Sequence, residues 1–138
     1  MISTILVIDD NILDNAILRN YLYKERFNIL SALNGREALD MVESRNVDVI
    51  ILDLVMPVLD GFGFLEEFCK TPFYKEIPVI IASSVDMNEM ERALDFDIFD
   101  FISKPLNKIN KLVIINKVRK AIEFRKMVSE IKLLESKK

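Results

Sequence analysis

The sequence predicts an α/β domain with three layers, in which helices cover both faces of a parallel sheet. Short runs of Val, Ile and Leu recur along the chain, as expected for strands that are buried on both faces. These runs alternate with segments whose apolar residues recur at three-to-four spacing, which indicates amphipathic helices. A chain of 138 residues fits one such domain and is long enough to bury a sizeable core.

Five strands and five helices alternate in this pattern. The predicted strands are Thr4–Ile8, Phe27–Ala32, Val49–Leu52, Val79–Ala82 and Phe101–Ser103. We expect Asn11 to cap the first helix and Asp86 to open the fourth. Asn34–Gly35 and Asp60–Gly61 have the composition of turns. The last helix begins near Asn107 and extends into the remaining tail.

Composition excludes several classes of function. Hydrophobic residues make up 51% of the chain, yet nothing approaches the ~18 consecutive apolar residues of a membrane span. Because Cys69 is the only cysteine, an internal disulfide is excluded, and a reducing cytoplasm is the expected compartment. The sequence contains no histidine, which excludes histidine-based triads, most zinc sites and a phosphohistidine acceptor.

Charge is unevenly distributed along the chain. Residues 1–103 have a net charge of −11, whereas residues 104–138 have a net charge of +8. A basic helix can bind nucleic acid or a membrane surface, but Lys and Arg also solvate an exposed helix face. Because no aromatic interleaving or base-reading motif accompanies this charge, we expect a solvated face and no nucleic-acid partner.

Polar side chains follow four of the five predicted strands. Asp9 and Asp10 follow the first strand, Asp53 the third, Ser83 the fourth and Lys104 the fifth. Taken singly, each has an ordinary explanation, such as helix capping, a turn or a solvated lysine. Right-handed crossovers, however, place the C-terminal ends of parallel strands at one edge of the sheet, where open α/β sheets bind ligands. We therefore expect these side chains to meet.

Three clustered carboxylates require a cation. Each pair of charges repels by roughly 4 kcal/mol at ~4 Å and an effective dielectric constant of about 20. Lys104 supplies one positive charge, and a divalent ion would supply two more. Carboxylate, water and phosphate oxygens are the ligands of Mg²⁺, whereas softer metals favour the His and Cys ligands that these strand ends do not offer.

A carboxylate beside a metal ion, a lysine and a hydroxyl can attack a phosphoryl group and form an aspartyl phosphate. Asp53 has no acidic neighbour in sequence and ends the central strand, so we assign it as the acceptor. Asp10 and Asp9 would hold the metal. Lys104 would neutralise charge on the phosphoryl oxygens, and Ser83 would donate a hydrogen bond to one of them.

These residues resemble a known family. Asp9–Asn11, Asp53 with the following MPVLDG, Ser83 after PVIIA, and Lys104–Pro105 resemble the receiver domain of two-component response regulators, over about residues 3–122. The resemblance implies a doubly wound, flavodoxin-like (βα)5 fold with the sheet order 2-1-3-4-5. It also implies phosphorylation of Asp53 by a histidine kinase or phosphotransfer protein, in a signalling protein that is not an enzyme beyond its own phosphotransfer and slow dephosphorylation.

The resemblance assigns further roles. It implies that Asp10, Asp53 and the backbone carbonyl of Val55 hold Mg²⁺. It also implies a switch in which the Ser83 hydroxyl moves toward the phosphoryl group and Phe101 turns inward. This movement would change the surface formed by the fourth helix, fifth strand and fifth helix, to which a downstream protein would bind.

The tail is expected to continue the last helix. We divide the chain into a receiver domain over residues 1–122 and a helical extension over residues 123–138. A helix from Asn107 to Ser136 would be about 45 Å long, longer than the domain is wide, so its end should project. An apolar seam of about two heptads is formed by Phe124, Met127, Ile131 and Leu134. A homodimer or partner contact, packing against the domain, and a frayed end are all compatible with this seam.

Two other functions are open at this stage. The same fold could serve as an interaction module that does not use phosphorylation. It could also be a phosphohydrolase with an aspartyl nucleophile, although Val55 occupies the position at which such enzymes carry a second acid. We favour a stand-alone cytoplasmic receiver that docks a partner, or a receiver cut from a longer regulator.

Overall fold

The computed structural model describes residues 2–84 and 86–137, and it confirms five strands that alternate with five helices. The strands are β1 (Thr4–Ile8), β2 (Asn28–Ala32), β3 (Val49–Leu52), β4 (Val79–Ser83) and β5 (Asp100–Ser103). The helices are α1 (Ile12–Tyr23), α2 (Gly35–Ser44), α3 (Gly61–Phe68), α4 (Met87–Ala93) and α5 (Lys108–Ser136). Three residues lie outside the described residues: Met1, Val85 and Lys138. Met1 is the first residue of the predicted domain, and Lys138 is the last residue of the predicted extension.

The strands form one parallel sheet in the order β2-β1-β3-β4-β5, which confirms the predicted flavodoxin-like arrangement. Ile8 of β1 lies beside Leu52 of β3, which is paired in turn with Ile81 of β4. The C-terminal ends of the central strands therefore finish at nearly the same level. Strand order reverses between β1 and β3, which is where open α/β sheets bind ligands.

Successive residues of each strand enter two separate apolar cores, because side chains alternate between the faces of a sheet. Leu6 and Ile8 belong to the core that α2 and α3 cover. Ile5 and Val7 belong to the core that α1 and α5 cover on the opposite face. Burial of both faces explains why the strands read as continuous apolar runs, and each buried Leu or Ile contributes roughly 1.5–3 kcal/mol of transfer free energy.

A side-chain oxygen caps the start of each of the five helices by accepting a hydrogen bond from the amide three residues later, at 2.8–3.0 Å. The capping residues are Asn11, Asn34, Asp60, Asp86 and Asn107. The caps predicted at Asn11 and Asp86 are therefore present. Asn34–Gly35 and Asp60–Gly61 are helix starts and not separate turns, because a cap lets the chain enter the helix directly.

The first half of α5 packs on the sheet, and its continuation also contacts the domain. The ring of Phe124 lies 5.5 Å from the ring of Phe99, measured between centroids. Arg125 lies between two acids at the opposite edge of the sheet from Asp53, with 3.8 Å to Asp48 and 3.9 Å to Glu76. Packing against the domain therefore accounts for one side of the extension.

The apolar seam of the extension faces solvent. Met127, Ile131 and Leu134 are each more than half exposed, whereas Phe124 is 38% exposed. The division of the chain after residue 122 stays a prediction, because α5 runs through that point without interruption. Over residues 2–84 and 86–137, every helix is too short or too polar to cross a lipid bilayer.

Gly61 fixes the loop that follows β3. Its amide donates a hydrogen bond to the carbonyl of Leu54 at 3.1 Å. A Cβ at this position would lie 2.5 Å from both the carbonyl oxygen of Asp53 and the Cα of Leu54. Because these are backbone atoms, a side chain here could be accommodated only if the loop that begins with Asp53 moved.

We expect Gly61→Ala to lower the free energy of unfolding by about 1–3 kcal/mol, the usual cost of overpacking. Gly63→Ala is the matched control, because its Cβ would chiefly meet the Leu59 side chain, which can rotate away. Alanine is also the better helix former at that position. Urea unfolding followed by circular dichroism measures both variants, and equal stability of Gly61→Ala and wild type would contradict the prediction.

Candidate functional site

The structure places the predicted site residues at one edge of the sheet. Asp9 follows β1, Asp53 follows β3, Ser83 ends β4 and Lys104 follows β5. The amide of Asp53 donates to the carbonyl of Ile8 at 2.9 Å, and the amide of Lys104 donates to the carbonyl of Ser83 at 3.4 Å. Neighbouring strands therefore hold these residues in register beyond the strand ends.

Asp53 lies at the centre of the site and is 7% exposed. Its Oδ1 accepts hydrogen bonds from the Ser83 hydroxyl at 2.7 Å and from the Val55 amide at 3.3 Å. Its Oδ2 lies 3.3 Å from the Lys104 ammonium, which also lies 2.8 Å from Asp9 Oδ2. The hydroxyl, the amine and two of the acids are therefore in direct contact.

Three carboxylates share this site. One oxygen from each of Asp9, Asp10 and Asp53 lies within 4.8 Å of the others. Two unit charges at about that separation repel by roughly 3–4 kcal/mol at an effective dielectric constant of 20. Lys104 supplies one positive charge against three negative ones. Carboxylate oxygens that converge on one point are suitable ligands for a hard divalent cation, so the residues fit Mg²⁺.

Burial and charge shift the pKa values of Asp9 and Lys104 in the same direction for different reasons. Burial raises the pKa of the Asp9 carboxyl from 3.8 to about 6, although hydrogen bonds from Lys104 and from the Asn11 amide oppose the shift. Burial by itself lowers the pKa of the Lys104 ammonium, but hydrogen bonds to Asp9 and Asp14 and the charge of Asp53 outweigh it, so that pKa is raised above its usual value. Lys104 is therefore charged, and Asp9 loses its proton at a higher pH than an exposed aspartate does.

Asp14 is a fourth acid at the site that the sequence pattern does not identify. Its Oδ2 lies 2.9 Å from Lys104 Nζ. Asp14 is in the first turn of α1, four residues after Asp10. Its backbone amide donates a hydrogen bond to the Asn11 side chain. Its spacing from Asp10 is visible in the sequence, but the direction in which α1 leaves the sheet is not.

A buried polar network supports the first acid. Asn15, which is 2% exposed, donates Nδ2–H to the carbonyl of Asp9 at 3.1 Å. Its Oδ1 accepts the hydroxyl of Ser31 at 2.7 Å. Buried amides need such partners, and here they link α1 and β2 to the backbone of Asp9. A polar residue within the apolar stripe of α1 is the only sequence signal for this network.

Phe101, the predicted switch aromatic, lies on β5 and is partly buried. It borders a cavity of 340 Å³ that is also lined by Ser83, Met90 and Lys104. The carbonyl of Phe101 accepts a hydrogen bond from the Lys117 ammonium of α5. The predicted switch residues therefore share one cavity, and Phe101 is connected to α5 through its backbone.

A family model and two curated proteins that resemble this chain all belong to the response regulators. A family model described as "Response regulator receiver domain" matches residues 5–116. Response regulator GtcR of Aneurinibacillus migulanus is 35% identical over 126 residues, which are 90% of this chain and 51% of GtcR. Two-component response regulator ORR3 of Oryza sativa subsp. indica is 30% identical over 116 residues, which are 83% of this chain and 88% of ORR3. The chain thus spans about half the length of GtcR.

Solved structures have the same fold. A CheY-like response regulator receiver domain protein from Methanospirillum hungatei JF-1 matches with a TM-score of 0.82, at 18% identity and over 92% of this chain and 98% of that one. Response regulator TrrA from Thermotoga maritima matches with a TM-score of 0.75, at 28% identity and over 87% of this chain and 99% of TrrA. The TrrA structure is a complex with Mg(2+)-BeF.

The raised pKa of Asp9 predicts how stability depends on pH. The folded state binds a proton at Asp9 between pH 3.8 and about pH 6, where the unfolded chain has lost it, so this group makes the fold less stable as pH rises through that range. Asp9→Asn removes the titration. We expect the free energy of unfolding of Asp9→Asn, relative to wild type, to increase by up to about 3 kcal/mol between pH 4 and pH 7.

Urea unfolding in the presence of EDTA measures this difference, because a bound cation would stabilise the ionised form of Asp9 and lower its pKa. Asp40→Asn, at an exposed position of α2, is the matched control and should show no such trend. A difference between Asp9→Asn and wild type that does not change with pH would contradict the assigned direction.

Proposed function

Because this chain belongs to the response regulator receiver domain family, we propose that it is a phosphoacceptor switch whose acceptor is Asp53. The observation that carries the proposal is the environment of Asp53, with Ser83 Oγ at 2.7 Å from one carboxylate oxygen and Lys104 Nζ at 3.3 Å from the other. Receiver domains are signalling proteins, so we assign no turnover beyond phosphotransfer onto Asp53 and slow loss of the phosphoryl group.

Phosphotransfer would proceed by in-line attack of an Asp53 oxygen on phosphorus. With an acyl phosphate as donor, the new O–P bond forms as the bond to the leaving carboxylate breaks, and that carboxylate keeps the electron pair. The Ser83 hydroxyl and the Lys104 ammonium already contact Asp53, so they are near the positions of the transferred oxygens. Two donors that are positioned in advance would stabilise the transition state without large rearrangement.

We assign the metal site to the carboxylates of Asp10, Asp53 and Asp9 together with the backbone carbonyl of Val55. Mg²⁺ bound there would supply positive charge that offsets the carboxylates and the phosphoryl oxygens. The convergence of three carboxylate oxygens within 4.8 Å supports this assignment, as does the Mg(2+)-BeF complex of TrrA. Lys104 would keep its contacts with Asp9 and Asp53.

We propose that Ser83 and Phe101 report phosphorylation to the surface. A phosphoryl group on Asp53 adds negative charge and acceptor oxygens, toward which the Ser83 hydroxyl would shift. This shift would enlarge the cavity that Ser83 shares with Phe101 and would allow the ring to turn inward. Lys117, which bonds to the carbonyl of Phe101, connects the change to α5. Aromatic NMR signals of Phe101 that are the same with and without beryllium fluoride would eliminate this switch.

The proposed partners follow from the family. Receiver domains interact with histidine kinases or phosphotransfer proteins, so we propose such a donor, acting in the cytoplasm. A downstream protein would bind the surface formed by α4, β5 and α5 when Asp53 is phosphorylated.

We also propose that the extension over residues 123–138 pairs with the extension of a second copy of the chain, because its exposed apolar residues repeat at the alternating spacing of a coiled coil.

Acetyl phosphate should label this protein. We expect incubation with acetyl phosphate and Mg²⁺ to add one phosphoryl group, which intact mass spectrometry detects. Asp53→Asn should abolish labelling because an amide is a poor nucleophile, and EDTA should abolish it because the carboxylates then repel the donor. Asp40→Asn, which changes the same charge at an exposed position of α2, should be labelled like wild type.

The alternatives predict different results in this experiment. Wild type that is never labelled would contradict the proposal and would favour an interaction module that does not use phosphorylation. Steady release of phosphate from small phosphate esters would instead favour the phosphohydrolase. Labelling of Asp53→Asn to the same extent as wild type would exclude Asp53 as the acceptor.

Deletion of residues 123–138 should convert a dimer to a monomer, as measured by sedimentation velocity over a range of concentrations. Because the deletion also removes Phe124, which contacts the domain, Ile131→Glu tests the exposed seam in the full chain. Leu133→Glu is the matched control, since Leu133 is similarly exposed but lies outside the seam. Wild type that is monomeric at every concentration would contradict the proposed dimer.

A further inference from the structure

Lys104 has more partners than the proposed phosphotransfer requires. Its Nζ lies 2.8 Å from Asp9, 2.9 Å from Asp14 and 3.3 Å from Asp53. Asp9 and Asp53 accept hydrogen bonds from two of its three N–H donors, and Asp14 forms an ion pair with it. A phosphoryl oxygen that approaches Lys104 therefore competes with three carboxylates for the ammonium.

The three carboxylates are not equally able to release the lysine. Asp9 is 1% exposed, and the backbone amide of Asn11 holds its other oxygen at 3.0 Å. Asp53 is the acceptor itself and remains beside the ammonium after transfer. The side chain of Asp14 is 24% exposed, so water can replace its contact with Lys104. Of the three contacts of Lys104, the one with Asp14 is therefore the easiest to break.

Asp14 also changes the charge of the site. With Asp9, Asp10, Asp14 and Asp53 ionised, four negative charges face the single positive charge of Lys104. A divalent cation would leave one negative charge uncompensated, and a phosphoryl donor is itself an anion. The fourth carboxylate therefore opposes the approach of the donor as well as occupying the ammonium that would receive it.

We infer that Asp14 is a positioning residue that holds Lys104 on the α1 side of the site and thereby slows phosphorylation of Asp53, an inference that depends on the proposed function. Asp14 restrains the lysine until a phosphoryl group competes for it. The partly exposed contact is weak enough to be broken in each transfer and strong enough to limit accidental phosphorylation by small donors.

The test compares Asp14→Asn with wild type in the full chain. Asn has nearly the same shape as Asp but carries no charge. Position 14 is in the first turn of α1, at an exposed helix end that tolerates this change. We expect the rate of labelling by acetyl phosphate at saturating Mg²⁺ to rise about two- to fivefold, the range that loss of a partly exposed ion pair supports. Asp14→Glu should restore a slow rate, and Asp40→Asn should leave it unchanged.

A second measurement separates this role from a structural one. The affinity for Mg²⁺ alone, measured by calorimetry without donor, should fall in Asp14→Asn because one nearby negative charge is lost. A faster transfer combined with weaker Mg²⁺ binding separates the two roles, because damage to the fold would lower the rate of transfer together with the affinity for Mg²⁺.

The outcomes distinguish this inference from the proposed function. If wild type is labelled at Asp53 while Asp14→Asn is labelled at an equal or lower rate, the role of Asp14 is wrong and the phosphoacceptor function stands. An equally fast rate in Asp14→Glu would also overturn the inference, because charge would then not matter. If wild type is not labelled, the proposed function fails and the inference fails with it.

Discussion

The contact of one ammonium with carboxylates from three different elements is the interaction on which the site depends. Lys104 follows β5, whereas Asp9 follows β1, Asp53 follows β3 and Asp14 belongs to α1. Without this cation, mutual repulsion of the acids would favour opening of the sheet edge. The parallel register makes the arrangement possible, because adjacent strands end at nearly the same level and their side chains cannot separate without breaking backbone hydrogen bonds.

The site carries more negative charge than its one lysine offsets, and this excess suits a signalling role. Lys104 supplies one positive charge against the carboxylates of Asp9, Asp10 and Asp53, and burial raises the pKa of the Asp9 carboxyl to about 6. Residual negative charge of this kind favours a divalent cation. The rigid β-sheet prevents the acids from relaxing apart, while the loop anchored by Gly61 holds Asp53 from the other side. The carboxylates are thereby held close together although their charges repel.

The path from this site to the surface is short. Ser83 contacts Asp53 and borders the same cavity as Phe101, and Lys117 binds the carbonyl of Phe101 from α5. α5 continues far beyond the sheet, where Phe124 packs against the domain and the following apolar seam faces solvent. These contacts connect Asp53 with a helix whose far end carries an exposed apolar seam.

The sequence by itself determined the fold and most of the site. Strands buried on both faces are visible as apolar runs, and a parallel sheet brings their C-terminal ends together, so the sequence pattern places Asp9, Asp53, Ser83 and Lys104 at one edge. Only the tertiary structure decided which acids Lys104 contacts. Asp14 reaches the ammonium because of the angle at which α1 leaves the sheet, and Asn15 reaches Asp9 because α1 packs beside β2. Helix direction and packing depend on contacts between distant segments, which local spacing does not encode, and the same limit applies to the partner of the α5 seam.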